Sequence, residues 1–199
     1  MNDVGLRARK MARTRDQIAE AAIHLFVEQG YEATTLEEVA DRADVHKRTL
    51  LRYFPTKAHL VLHQQYAAIE EFGEAVAKRG ETAIMDLWAA HVIRHARDMM
   101  RRGRFANMRK IARSEPSLEG AYLSIQATYQ ALIGAGLRED LAGRTDADII
   151  APVAAAALVG GNYSVSAGIF AREAYDELEA AVLEVVRLVR EKLLDDRAG

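Results

Sequence analysis

An all-α chain is what this sequence predicts, and three observations predict it. Apolar residues recur three and four positions apart through most of the chain, and no segment shows the two-residue alternation of a half-buried strand. Two stretches open with Thr followed three residues later by Gln or Glu, the pattern of a capped helix start. No repeat emerges. Half of the 199 residues are hydrophobic, enough for one sizeable core or two small ones and far too many for a disordered chain. About nine helices are expected.

Up to Arg13 the chain has no clean period and is expected to form a mobile arm. Residues 1 to 15 carry Arg7, Arg9, Lys10, Arg13 and Arg15 against Asp3 alone, which suits phosphate or a minor groove; an arm with no role fits as well. Thr14, with Gln17 in the capping-box position, is expected to start the first helix. Its stripe is Ile18, Ala21, Ala22, Leu25 and Phe26, and Gly30 closes it at Gln29. Tyr31 to Thr34 link it to a short helix capped by Thr35 and Glu38, with Leu36, Val39, Ala40 and Ala43 as the apolar stripe. That helix stops near Arg42 or Ala43. Asp44 falls where the turn needs left-handed backbone, which Asp tolerates better than most residues. A third helix follows at once, with Val45, Leu50 and Leu51 expected to face inward, and Ala40 is small enough to let the two helices cross closely. Thr34 to Lys57 therefore reads as a helix-turn-helix.

The exposed positions of its second helix are His46, Lys47, Arg48, Thr49 and Arg52, followed by Tyr53 and Lys57, and no acidic side chain occurs from His46 to Lys57. In such a motif the second helix presents its N-terminal residues to base edges in the major groove. There Arg or Lys pairs with guanine and Thr meets a thymine methyl. The bland alternative is a basic run that is only a solvated face.

At these residues a family likeness becomes specific. The stretch from about Thr14 to about Gln65, about a quarter of the chain, resembles the DNA-binding domain of the TetR family of transcriptional repressors. The likeness rests on Ile18, Ala21, Ala22, Leu25 and Phe26 ending in Glu28-Gln29-Gly30-Tyr31, then Thr34-Thr35, Thr49-Leu50, Tyr53-Phe54 and Lys57. It implies an all-helical subunit: an arm and three-helix DNA-binding domain over residues 1–55, and a larger helical domain for effector binding and dimerisation over 56–199. The family's DNA-contacting positions fall here on Thr35, His46, Lys47, Arg48, Arg52, Tyr53 and Lys57. Two residues depart from the family pattern. Asp44 stands where Gly is usual, and Leu51 stands where many members have a Tyr that contacts the backbone, which shifts phosphate binding towards Arg52.

From Thr56 one long helix is expected through Leu60, Val61, Tyr66, Ile69 and Phe72 towards Ala77, a mechanical link from the DNA surface into the second domain. Gly80 and Thr82 break it. The next helix carries Ile84, Leu87, Trp88, His91, Val92, His95 and Met99, and a short one runs from Gly103 through Phe105, Met108, Ile111 and Ala112. Ser114 and Pro116 open another through Tyr122, Ile125, Tyr129, Leu132 and Ile133, ending near Leu141 to Gly143. Asp146 to Phe170 is the least polar part, and a final helix from about Ala171 has Leu178, Val182, Val185, Val186, Val189 and Leu193 as its stripe. By resemblance, the last two helices form a four-helix homodimer interface with their symmetry mates; ordinary core helices are the alternative. A dimer also suits a motif that reads two half-sites one helical turn apart.

The middle helices supply Met85, Trp88, His91, His95, Met99, Phe105, Met108, Tyr122, Ile125 and Tyr129, a mixture suited to a largely apolar small-molecule effector with a few polar anchors, or simply to core packing. His91 and His95 share a face at metal-ligand spacing, but no Glu follows His91 and no further ligand is evident, so no metal and no cofactor is expected. Arg94, Arg97, Arg101, Arg102, Arg104, Arg109, Lys110 and Arg113 stand against Asp98 alone; they suit either an anionic effector or a solvated face. Net charge is about -2, so the basic character is local. There is no cysteine, hence no disulfide or thiolate site. No apolar N-terminal leader and no run of about 18 uncharged apolar residues is read, so a cytoplasmic protein outside the membrane is expected.

No nucleophile is paired with a base and no phosphate-cradling Gly-rich loop occurs, so the chain is not expected to be an enzyme. The expected function is a one-component repressor that leaves a double-stranded operator when an effector binds. The competing reading is a helical small-molecule-binding protein or enzyme whose basic motif docks an acidic protein partner.

Overall fold

The computed structural model describes residues 3–101, 111 and 115–195, and among these it contains nine α-helices and no strand. They are α1 (Asp3–Gln29), α2 (Leu36–Arg42), α3 (Lys47–Tyr53), α4 (Lys57–Val61), α5 (His63–Ala77), α6 (Ile84–Arg101), α7 (Glu119–Asp140), α8 (Ala147–Ala171) and α9 (Leu178–Val189). The short helix expected from Gly103 lies outside the described residues apart from Ile111, which is helical and buried. The chain forms two compact units: Met1–Tyr66 with Arg102–Ala121, and Ala67–Arg101 with Tyr122–Gly199. The division falls inside α5 and near the start of α7.

In the first unit the expected arm is helix instead. With no proline before Gln29 and with Ala8, Lys10, Met11 and Ala12 favouring helix, nothing stops α1 from reaching back to Asp3. Thr14 therefore lies inside the helix rather than capping it, and its hydroxyl donates to the Lys10 carbonyl at 3.0 Å. Ile18, Ala19, Ala22 and Phe26 form the buried face. The helix ends as its sequence requires: Gly30 takes φ +93° and its N–H closes on the Phe26 carbonyl at 3.1 Å.

The capping box of α2 is complete. Thr35 Oγ1 accepts from the Glu38 N–H at 3.2 Å and the Glu38 carboxylate accepts from the Thr35 N–H at 2.8 Å. Asp44 adopts φ +53°, and Val45 N–H reaches the Ala40 carbonyl at 3.0 Å, which turns the chain directly into α3. Leu50 and, one turn on, Phe54 are buried. Leu51 lies about 100° round the helix from Leu50 and is turned outward, 38% exposed, contrary to its expected inward place.

The long helix expected from Thr56 is two helices. At Leu62 the backbone leaves helical geometry (φ −98°, ψ 17°). The cause is local: the His63 ring Nδ1 lies 3.1 Å from the Leu60 carbonyl, an acceptor that an unbroken helix would give to Gln64.

In the second unit α6 runs against α7. Arg79, its side chain almost wholly buried, donates to Asp140 at 2.5 Å, Glu139 at 2.7 Å, the Gly136 carbonyl at 3.2 Å and the Thr82 carbonyl at 2.9 Å. Asp140 also accepts the Ile84 N–H at 2.8 Å, capping the start of α6. Ile84 occupies the space a side chain at Gly136 would need: an added Cβ would meet its Cγ1 at 2.8 Å and its Cβ at 3.0 Å. Ile84 cannot move its Cβ by changing rotamer, so Gly136→Ala is expected to cost about 1–3 kcal/mol of overpacking, more than the helix-propensity gain of about 1 kcal/mol. A thermal melt checks this, with Ile84→Ala expected to relieve the clash in the double variant.

The least polar stretch forms α8, which has no charged side chain from Ile149 to Ala171 and is by length and composition alone long enough to cross a bilayer. That corrects the expectation that no such run exists. Its inner face, including Ala151, Ala155, Leu158, Val159 and Ile169, is buried within the unit, so much of its apolar surface is used in packing. Ile169 joins Ala96, Leu178 and Val182 in one buried cluster. The final helix begins at Leu178 rather than near Ala171, because Glu173 at φ +58° and a 3-10 turn at Tyr175–Glu177 intervene.

Candidate functional site

The site is built on α3. The capping box sets α2, the Asp44 turn sets the crossing, and the buried pair Leu50 and Phe54 fixes which side of α3 faces out. His46, the N-cap residue, makes no side-chain cap and is exposed, as are Lys47, Arg48, Leu51 and Arg52; Thr49 and Tyr53 are half-buried. Lys47 is ion-paired with Glu37 of α2, whose carboxyl is held below the usual range by that hydrogen bond. Arg48 makes no ion pair with any described residue. The Arg52 guanidinium lies over the Tyr53 ring, 5.2 Å from its centroid, which pre-orders it without neutralising it. Arg48 and Arg52 are therefore free to meet phosphate or base edges.

Two of the residues expected at DNA are engaged inside the unit. The Thr35 hydroxyl accepts the Glu38 N–H and donates to the Glu38 carboxylate at 2.9 Å, so it serves the cap. Lys57 Nζ donates to the carbonyls of Tyr31 at 2.6 Å, Glu32 at 3.1 Å and Thr34 at 3.1 Å, and lies 4.5 Å from the Tyr31 ring centroid. All three ammonium protons are used. Burial, with Glu32 and Glu115 adding, pushes the Tyr31 phenol up to about 12. One residue outside the expected contact set joins the face, Leu51, exposed on α3; the Arg15 guanidinium sits 5.9 Å from the ring centroid of Phe54, on the other side of the helix.

In the second unit Trp88, His91, His95 and Tyr129 come together around Phe72. Ring centroids lie 5.5 Å apart for Phe72 and Trp88, 4.8 Å for Phe72 and His91, and 5.1 Å for Trp88 and Tyr129. His91 Nε2 and the Tyr129 hydroxyl share a buried hydrogen bond of 3.0 Å. Burial first, then the charges of His95 and Arg94, bring the His91 imidazole down to about 3, so it is neutral at physiological pH; burial likewise lowers His95 and raises Tyr129. Met85 and Ile125 are buried, and Tyr122 is half-buried with its phenol raised to about 12 by burial, with Tyr163 adding. The side chain of Met99, and Phe105 and Met108 entirely, lie outside the described residues. Among the described residues no group of three His, Asp or Glu side chains is placed to hold a metal. Arg97 is paired with Glu179, and Arg94 stands 3.9 Å from Glu71; the side chains of the rest of that basic segment lie outside the described residues.

An all-helical chain with this turn and this outward basic row is a helix-turn-helix protein. Residues 18–63 match the family described as bacterial regulatory proteins, tetR family. The chain is similar to the HTH-type transcriptional regulator TcmR of Streptomyces glaucescens, 38% identical over 131 residues, covering 61% of this chain and 58% of TcmR. It is also similar to the HTH-type transcriptional repressor KstR of Mycobacterium tuberculosis, 39% identical over 83 residues, 42% of this chain and 36% of KstR. The chain thus spans less than two thirds of either relative. Two solved structures share the fold at low identity. SmeT, the repressor of the Stenotrophomonas maltophilia multidrug efflux pump SmeDEF, superposes with TM-score 0.64 at 20% identity, over 92% of this chain and 91% of SmeT. Thermus thermophilus FadR in complex with lauroyl-CoA does so with TM-score 0.58 at 19% identity, over 92% of this chain and 97% of FadR.

Proposed function

We propose that the protein is a homodimeric, sequence-specific transcriptional repressor, acting in the cytoplasm, that reads DNA with residues 1–55 and is released from its operator by a small molecule bound within residues 56–199. The observation that carries the reading is the outward face of α3. Arg48 and Arg52 are exposed and without a carboxylate partner among the described residues, next to His46 and Thr49 on a helix whose other side is locked by Leu50 and Phe54. Unpaired guanidinium groups on the second helix of this motif suit bidentate recognition of guanine and clamping of phosphate. SmeT and FadR, named as repressors and the latter seen with lauroyl-CoA, support the same reading by analogy. By linkage, an effector weakens DNA binding only as far as DNA weakens effector binding. In this reading α5 and α7, which continue across the division of the chain, carry the coupling.

Selection of bound duplexes from a random pool with the full chain, followed by titration at two salt concentrations, tests the proposal. A defined two-fold site and a steep salt dependence are expected. Arg48→Ala should then lose about 10- to 100-fold of discrimination between the selected site and a site altered at one base pair, corresponding to about 1–3 kcal/mol. Equal losses on selected and random duplex would remove Arg48 from the base-reading set.

A further inference from the structure

One apolar side chain stands on the outward face of the helix that carries the basic row. Leu51 is 38% exposed, whereas every other Leu, Val, Tyr and Phe from Thr34 to Lys57 is buried or half-buried. It has no core to join, because Leu50 and Phe54 fill the inward side of α3 and Leu51 lies about 100° round the helix from Leu50. Single exposed leucines are ordinary on protein surfaces. This one stands within the row that must lose its water when α3 enters a groove.

Its neighbours define what it can meet. Residues three and four apart share a helix face, which places Lys47 and Arg48 beside Leu51, with Arg52 on the far flank of Arg48. Lys47 is already ion-paired with Glu37 of α2. Arg48 and Arg52 have no carboxylate partner among the described residues, and the Arg52 guanidinium is held over the Tyr53 ring. Two guanidinium groups suited to phosphate and guanine therefore flank an aliphatic group that can bond neither. Leucine offers no donor to a phosphate, and a polar base edge pressed against it would lose water without gaining a hydrogen bond. The major-groove edges of the bases carry one apolar group, the C5 methyl of thymine.

We infer, on the DNA-reading role proposed above, that Leu51 is a specificity-determining residue that packs on a thymine methyl, so that each half-site carries a thymine near the guanine read by Arg48. Three residues separate Leu51 from Arg48, about 4.5 Å along the helix axis, and stacked base pairs lie about 3.4 Å apart. The thymine is thus expected within about two base pairs of that guanine. Thr49 is the other side chain of α3 with a methyl to offer, but it is half-buried and lies about 160° round the helix from Leu51.

The test removes the methyl from the DNA and the leucine from the protein. In the duplex selected by the full chain, each thymine is replaced in turn by deoxyuridine, which keeps the base pair and lacks only the C5 methyl. The unaltered protein should lose about fourfold in affinity at one thymine of a half-site, and about fifteenfold when both half-sites are changed, as for one buried methyl in each. Leu51→Ala should bind the unmodified duplex at least about fifteenfold more weakly and should no longer distinguish thymine from deoxyuridine there. Its salt slope should stay unchanged, because no phosphate contact is lost. Leu51→Met, which keeps an apolar side chain of similar size, should retain the sensitivity to the methyl. Both variants should melt near the wild-type temperature, since the residue is exposed in the free protein. A thymine effect that persists in Leu51→Ala would give the methyl to another side chain, Thr49 first, and overturn the assignment. So would a selected half-site without thymine, or one in which no deoxyuridine weakens binding, the result a merely solvated leucine gives. Selection of no defined duplex at all would instead be failure of the repressor reading.

Discussion

Val153→Asp is expected to turn the protein into a folded monomer and to weaken operator binding by about a thousandfold or more. Along α8 the outward positions are Ile149, Val153, Ala156, Gly160, Tyr163 and Ala167, spaced four and three apart, which is one continuous helix face. Ile149 is 70% exposed and Val153 48%. Large aliphatic groups next to Ala and Gly make an apolar stripe narrow enough for close approach of a second helix. On α9, Leu183 and Leu188 add exposed apolar surface. In a single subunit the Val153 side chain already meets water, so an aspartate there changes subunit stability by roughly half a kcal/mol. In a two-fold dimer seated on this stripe, the same substitution buries two carboxylates near one another without partners. A monomer holds only one half-site, and halving the contacts of an operator complex removes several powers of ten in affinity. Sedimentation, a circular-dichroism melt and duplex titration check the three parts separately. A variant that sediments as a dimer would place the interface elsewhere.

Much of this fold could be read from neighbouring residues because it is decided by them. Thr35 with Glu38, Gly30 after Gln29 and the left-handed Asp44 are each fixed by two or three adjacent positions, and each stands in the structure as the sequence predicts. The features that escaped reading depend on an absence or on one contact. Nothing in residues 3–13 favours helix so strongly as to announce it, yet nothing breaks it, and α1 extends. The break at Leu62 follows from a single imidazole reaching back to the Leu60 carbonyl. The outward face of α3 was legible as a run of residue types, but its partition was not. Leu51 looks apolar enough to be core, and only the angle between it and Leu50 turns it outward.

Lys57 shows the same limit at the site itself, and it carries the second large effect. Its position after the motif suggests a phosphate contact, but the carbonyls it meets belong to residues 31–34, on the link between α1 and α2. That link folds into a tight turn in which the buried Thr34 hydroxyl donates back to the Gly30 carbonyl at 2.7 Å, and its other carbonyls converge on one ammonium. Lys57→Ala removes the donor for all three at once. Charge-assisted bonds contribute about 1.5–3 kcal/mol each when fully buried and less in a half-buried group such as this one, so a total loss of about 3 kcal/mol is expected. For a chain of this size that lowers the melting temperature by about 6–12 °C. Lys57→Arg is not expected to restore it, because a planar guanidinium cannot place three protons on converging carbonyls as an ammonium does. The salt dependence of DNA binding by Lys57→Ala, measured well below its melting temperature, should keep its slope, whereas Arg52→Ala should lose about one unit. A Lys57→Ala protein with unchanged melting and a slope reduced by one would return this residue to the phosphate-binding set, and would mean that the ammonium leaves the link when DNA arrives.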